Sequence, residues 1–131
     1  MRTLEYIIDQ PPIALKRARH YRGYVVDPSK PDKIVYINTL KAAYPNIKIV
    51  NEPFIANFQF HFPIPKSLSR KKYYGLIGTP HTNKIDIDNV IKFFLDIGNE
   101  ILWSDDCLCW KLTASKTYSD KPRVVIDISF P

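Results

Sequence analysis

An α+β fold, a small mixed β-sheet of about four strands with two helices packed on one face, follows from three features of this sequence. Residues 54–62 alternate, with Phe54, Ala56, Phe58, Phe60 and Phe62 set against Ile55, Asn57, Gln59 and His61, which is the period of a half-buried strand. From Ile87 onward the apolar residues Val90, Ile91, Phe94, Leu95, Ile101 and Leu102 follow at the steps of a helix with one buried face. No internal repeat, low-complexity tract or linker divides the 131 residues, so a single domain over 1–131 is expected.

The remaining elements follow in chain order. Residues 4–9 read as a short strand stopped by Pro11 and Pro12, because proline donates no ladder hydrogen bond. Lys16, Arg17, Arg19 and Arg22 crowd a loop with Tyr21, a composition that suits phosphate contacts with a base or sugar resting on the ring. Asp27, Pro28 and Ser29 mark a turn and a helix start, and Ile34, Ile37, Leu40 and Tyr44 carry helical spacing up to Pro45. After the aromatic strand, Pro63 and Pro65 break the pattern, and Arg70, Lys71 and Lys72 precede Tyr73 and Tyr74. Residues 66–83, with Gly75, Gly78 and Pro80, read as a mobile basic flap that closes over nucleic acid. Residues 108–118 and 123–130 alternate as strands around an Asp120-Lys121-Pro122 turn.

Composition narrows the functional classes. Apolar residues make up 45% and charged residues 24%, as in soluble globular proteins. There is no apolar run long enough to span a bilayer and no signal-peptide core at the start, so a cytoplasmic protein is expected. Cys107 and Cys109 lie two apart, where a strand would put them on one face as reduced thiols rather than a disulfide. The net charge of +6 is unevenly divided: 86–106 holds six acids and one base, or −5, leaving 18 bases against 7 acids, or +11, elsewhere. A basic body around an acidic island suits a protein that grips a polyanion and keeps a cation centre for chemistry on it. An all-basic surface would point to binding alone, and the +11 argues against a hydrolase of small nucleotides.

The island carries that chemistry. Asp86 sits two residues before Asp88 in the extended entry to the helix, where alternate side chains point the same way and two carboxylates converge. Asp88, Lys92 and Asp96 then form a polar stripe, and Asp105 or Asp106 can return toward the pair after the helix. Three oxygen donors without His or Cys favour Mg²⁺ or Mn²⁺ over Zn²⁺. The bland alternative is a helix cap, for which one carboxylate suffices, just as an ion pair with Asp88 or Asp96 is the bland role for Lys92.

Taken together, Asp86-Ile87-Asp88-Asn89, Lys92, Asp96, Trp103-Ser104-Asp105-Asp106, Lys116 and the final strand resemble the RusA family of Holliday junction resolvases, as do Pro12, the basic loop and the Asp27-Pro28 turn. The sequence departs from that pattern at Ala18, Ile85 and Leu108, none of which is a metal ligand. The resemblance implies a Mg²⁺-dependent endodeoxyribonuclease that resolves four-way DNA junctions by paired, symmetric cuts as a homodimer. It further implies that Asp86, Asp88 and Asp106 bind the metal, that Lys92 is needed for cleavage, and that Arg17, Arg19, Arg22 and Arg70 to Lys72 hold the DNA backbone. The alternatives are a DNA-binding module without catalysis and a less selective metal-dependent DNA nuclease. For a dimer interface the candidates are Trp103, Trp110 and the open sheet edge, with core burial as the other fate of each tryptophan.

Overall fold

The computed structural model describes residues 2–130. Strand β1 (Arg2–Ile8) leads into a hairpin of β2 (Arg19–Tyr21) and β3 (Tyr24–Val26), then helix α1 (Lys30–Ala43), β4 (Phe54–Pro63) and helix α2 (Arg70–Leu76). Helix α3 (Ile87–Gly98), a 3-10 turn (Asp106–Leu108), β5 (Cys109–Ser119) and β6 (Arg123–Phe130) complete the chain. Four strands form one sheet in the order β1-β6-β4-β5, in which β4 and β5 run parallel and the other pairs antiparallel. The expected mixed sheet is therefore present, with a separate two-stranded hairpin and a third helix besides.

Strand β4 is central because its alternation puts Phe54, Ala56, Phe58, Phe60 and Phe62 on one buried face. Phe54, Phe58 and Phe60 are fully buried, and Phe60 meets Phe94 of α3 at 5.5 Å between ring centroids. On the other face Ile55, Asn57, Gln59 and His61 stay half-buried, as the period-2 pattern requires.

Both long helices are rotated from the faces their apolar spacing predicts. In α1, Tyr36 and Leu40 are buried while Ile34 is 50% exposed. The Tyr36 ring packs edge-on against Phe93 and Phe94 and its hydroxyl donates to the Pro11 carbonyl; burial pushes this phenol up to about 12. In α3, Val90, Phe93, Phe94 and Ile97 are buried, whereas Ile87 is exposed and Ile91 and Leu95 are half-buried. This helix is apolar on more than one face, so periodicity alone does not select the buried one.

Helix α3 also ends earlier than expected, at Gly98, leaving Ile101 and Leu102 outside it. The fully buried Trp103 folds back so closely that a Cβ at position 98 would lie 2.2 Å from its ring. The Gly98 carbonyl then accepts from the backbone N–H of Ile101, Leu102 and Trp103, which closes the helix end. Trp103 thus takes the core role, while Trp110 at the start of β5 is 59% exposed.

The 66–83 segment is not the loose flap the glycines and prolines predict. It contains α2, whose N-cap Ser69 hydroxyl accepts from Lys72 N–H. Its far end is pinned to β5 by Gly78 N–H to the Tyr118 carbonyl at 2.8 Å, Tyr118 N–H to Thr79 at 3.0 Å and His81 N–H to Lys116 at 3.0 Å. The edge of β5 has spare backbone donors and acceptors, and this segment occupies them.

Candidate metal and nucleic-acid site

Asp86 holds the N-cap position of α3, yet its side chain makes no cap hydrogen bond. Its backbone carbonyl instead accepts from Asn89 and Val90 N–H. The carboxylate is therefore not used in capping, which the bland reading of this residue would require. Asp88, in the first turn, is largely exposed and meets only Lys92, at 3.9 Å and with both side chains well solvated. Such a contact contributes little, so Asp86, Asp88 and Lys92 present two carboxylates and an ammonium at one helix entry. Lys116 braces that entry from β5 by donating to the Ile85 carbonyl.

Asp105 and Asp106 have separate roles. The Asp105 carboxylate accepts from Cys107 N–H at 2.9 Å and caps the 3-10 turn, a hydrogen bond that holds it below the usual carboxylate range. Asp106 faces Asn99, which accepts from Asp106 N–H at 2.9 Å and donates to its carboxylate at 3.3 Å. The same Asn99 carbonyl oxygen accepts from the Trp103 indole at 3.1 Å. Asn99 was not singled out by its sequence context, because an asparagine after a helical glycine reads as a simple stop signal.

These bonds place Asp106 at the C-terminal end of α3, whereas Asp86 and Asp88 mark its N-terminal end. Among the described residues no group of three or more His, Cys, Asp or Glu side chains is placed to hold one metal ion. The carboxylates of Asp86 and Asp88 at the helix entry fit a hard cation in kind.

The predicted basic residues lie on the strap before the hairpin, on the hairpin itself and on α2. Arg19, Tyr21, Arg22 and Tyr24 are exposed on the β2–β3 hairpin, whose Arg22-Gly23 turn has positive φ at both positions (30° and 86°), as a tight I′ hairpin needs. Tyr21 stacks on Tyr24 at 6.2 Å. Leu15 N–H donates to the Asn89 carbonyl at 2.9 Å, tying the strap before the hairpin to the first turn of α3. Lys33 bridges Asp27 at 2.8 Å and Asp96 at 3.3 Å; burial opposes its charge, but the two carboxylates hold it above its usual range. Lys16 is partly engaged by Asp32 at 3.4 Å, while Arg17 is exposed. Arg70, Lys71 and Lys72 are exposed on α2, with Arg70 over the Tyr74 ring at 5.9 Å.

Beside Ile85 opens a cleft of ≈ 590 Å³ lined by Pro12, Phe62, His81 and Asn83. His81 is buried, stacks on Phe62 at 4.0 Å and leaves its Nδ1 without a hydrogen-bond partner. No periodicity marks this histidine, since it lies outside any element.

Fold and site define a class: a basic α+β domain that presents a carboxylate pair and a lysine at the start of its central helix. The chain belongs to the RusA family, since the family described as Endodeoxyribonuclease RusA matches residues 10–129. It is also 27% identical over 139 residues to "Uncharacterized protein YqaN" of Bacillus subtilis (strain 168), with 98% of this chain and 96% of that protein covered. Among the described residues no helix is long and apolar enough to cross a membrane.

Proposed function

We propose that this chain is a Mg²⁺-dependent endonuclease that cuts branched DNA, with the four-way junction as its substrate and a homodimer as its working form. The observation that carries the reading is the Asp86/Asp88 pair, unused in capping, with Lys92 one turn on. Family membership supplies the reaction class, and the +11 outside residues 86–106 (18 bases against 7 acids) supplies attraction for a polyanion. Mg²⁺, or Mn²⁺ in its place, contributes a Lewis acid and an activated water when bound. Asp86 and Asp88 would bind that cation; Asp106, held by Asn99 at the far end of α3, is the third carboxylate that the family resemblance assigns to it. Lys92 places an ammonium where charge builds on the phosphoryl oxygens. Arg17, Arg19 and Arg22 with Arg70, Lys71 and Lys72 hold the backbone, and Lys16, shared with Asp32, contributes less.

The test is incubation of purified protein with a labelled four-way junction and a matched linear duplex in Mg²⁺. Paired, symmetric cuts in the junction and none in the duplex are expected. Asp88→Asn should abolish cutting while binding stays equal or tightens, because a repulsion toward phosphate is removed with the ligand. Binding without any cutting by the wild-type chain would reduce it to a DNA-binding module, and equal cutting of both DNAs would make it a less selective nuclease. Light scattering should give about twice the 15.2 kDa chain mass.

A further inference from the structure

We propose that the cleft beside Ile85 receives one nucleobase, turned out of the stack next to the phosphate being cut, and that His81 and Asn83 read its edge. The inference rests on the nuclease reading above and adds a point at which the sequence of the DNA is sensed. Pro11 and Pro12 on the strap after β1, Phe62 and Pro63 at the end of β4, and the run from Asn83 to Ile85 wall this cleft. Asp86 follows Ile85 directly, so the wall ends one residue before the first predicted cation ligand. Nucleotides of one strand are spaced by about 3.4 Å along the duplex axis, so the base beside a phosphate held at Asp86 and Asp88 needs only a short rotation to arrive at this wall. Lys116 ties the two places together: its carbonyl accepts from His81 N–H at 3.0 Å, and its ammonium donates to the Ile85 carbonyl.

The chemistry of the walls suits a flat, neutral ring with a polar edge. At ≈ 590 Å³ the cleft falls within the size of sites for small organic ligands, about 300–1,000 Å³. The prolines, Phe62 and Ile85 give apolar surface, and among the described residues no acid lines it. Two neutral hydrogen-bonding side chains stand against that surface. His81 is 7% exposed, and its ring is stacked on Phe62 at 4.0 Å and tilted against Tyr118 at 4.9 Å, yet its Nδ1 meets no partner. A buried polar atom in this state is uncommon and costs stability until something bonds it. Because no protein group holds Nδ1, the ring is not committed to either of its flipped orientations, and it can turn that nitrogen to a ligand while keeping the Phe62 stack. Burial and Lys116 hold this imidazole below its usual range, which keeps it neutral near pH 7, with one nitrogen donating and the other accepting. Asn83 is exposed, and its turn is closed by backbone alone, Ile85 N–H to the Asn83 carbonyl at 2.6 Å, so the side-chain amide is spared that duty. A donor and an acceptor on each of two side chains match the mixed edge of a base, whereas a phosphate would find Lys84 as the one cation of the lining among the described residues. At a branch point stacking is already interrupted, which lowers the cost of turning a base out.

The experiment compares four-way junctions that differ only in the base at single nucleotides flanking the cut. In Mg²⁺ the wild-type chain should cut the best of the four bases about 5-fold or more faster than the poorest, the least that one well-placed base contact discriminates. His81→Phe, which keeps the ring stack but has no Nδ1, and Asn83→Ala should each narrow that ratio, and together bring the four rates level. A loss of folded protein lowers all four rates alike, so the ratio reports base reading rather than stability. The measure that does not depend on cutting is 2-aminopurine placed in turn at each nucleotide around the branch point, whose fluorescence rises when the base leaves the stack. At one position it should rise on binding of the Asp88→Asn chain and stay flat once His81→Phe and Asn83→Ala are added. Equal rates for all four bases, or a ratio that both variants leave as it was, would overturn the proposal while the cutting itself upholds the nuclease reading. A wild type that cuts nothing yet raises the fluorescence, with the rise lost in the double variant, upholds the base site and overturns the nuclease reading alone. Neither cutting nor a rise at any position overturns both.

Discussion

Asn99 holds Asp106 from two sides, accepting from its N–H at 2.9 Å and donating to its carboxylate at 3.3 Å. The same amide also accepts from the indole of Trp103, which is fully buried. Asn99→Ala removes all of these bonds at once. With a buried donor left unpaired, the loss should be about 1–3 kcal/mol of unfolding free energy, read as a lower urea midpoint at unchanged slope. A midpoint equal to wild type would show that the clasp is solvent-replaceable.

Gly98 and Trp103 cannot both keep their places if position 98 gains a side chain, since the added Cβ falls 2.2 Å from the ring. Gly98→Ala in a solvent-facing helix would be favourable by about 1 kcal/mol. Here it should instead destabilise by about 1–3 kcal/mol, the usual range for overpacking a filled core. Thermal melts of Gly98→Ala alone and combined with Trp103→Leu check the cause, because the smaller partner should restore part of the stability.

Stability should depend on pH through His61 and His81. Burial first, then Arg123 beside His61 and Lys116 beside His81, hold both imidazoles below the ordinary 6.5. The folded state thus resists a proton that the unfolded chain accepts, so stability is full above 6.5 and is lost as pH falls from there toward the lowered folded values. The melting temperature should be level from about pH 8 to about pH 7 and decline toward pH 5. His61→Gln with His81→Phe should flatten that decline, and an unaltered curve would assign it to other groups.

The hairpin arginines should act through phosphate charge rather than base identity. Neutralising Arg17, Arg19 and Arg22 together should weaken binding across DNA sequences and lower the salt slope by about one for each phosphate that is no longer neutralised. An unchanged slope would show that the hairpin stands clear of the DNA.

Much of the fold was legible in the sequence, for a local reason. The strict alternation of residues 54–62 and 123–130 encodes strand geometry residue by residue, and both segments are strands, Phe54–Pro63 and Arg123–Phe130. The spacing of Asp86, Asp88 and Lys92 likewise places them at a helix entry, because two- and four-residue steps have one meaning in extended and helical backbone. Contacts between segments distant in the chain were not legible. Whether Ile87 or Phe93 faces the core depends on which rings of β4 and α1 meet α3, and the helix is apolar enough to satisfy either choice. Its end depends on Trp103 packing onto Gly98, a contact that no 3.6-residue pattern contains. The position of Asp106 follows from that same turn: once the helix stops at Gly98, Asn99 is free to clasp the aspartate at the far end of α3. Periodicity records how each segment meets its immediate neighbours, while the separation of the carboxylates is set by how a helix, a turn and a strand share one core.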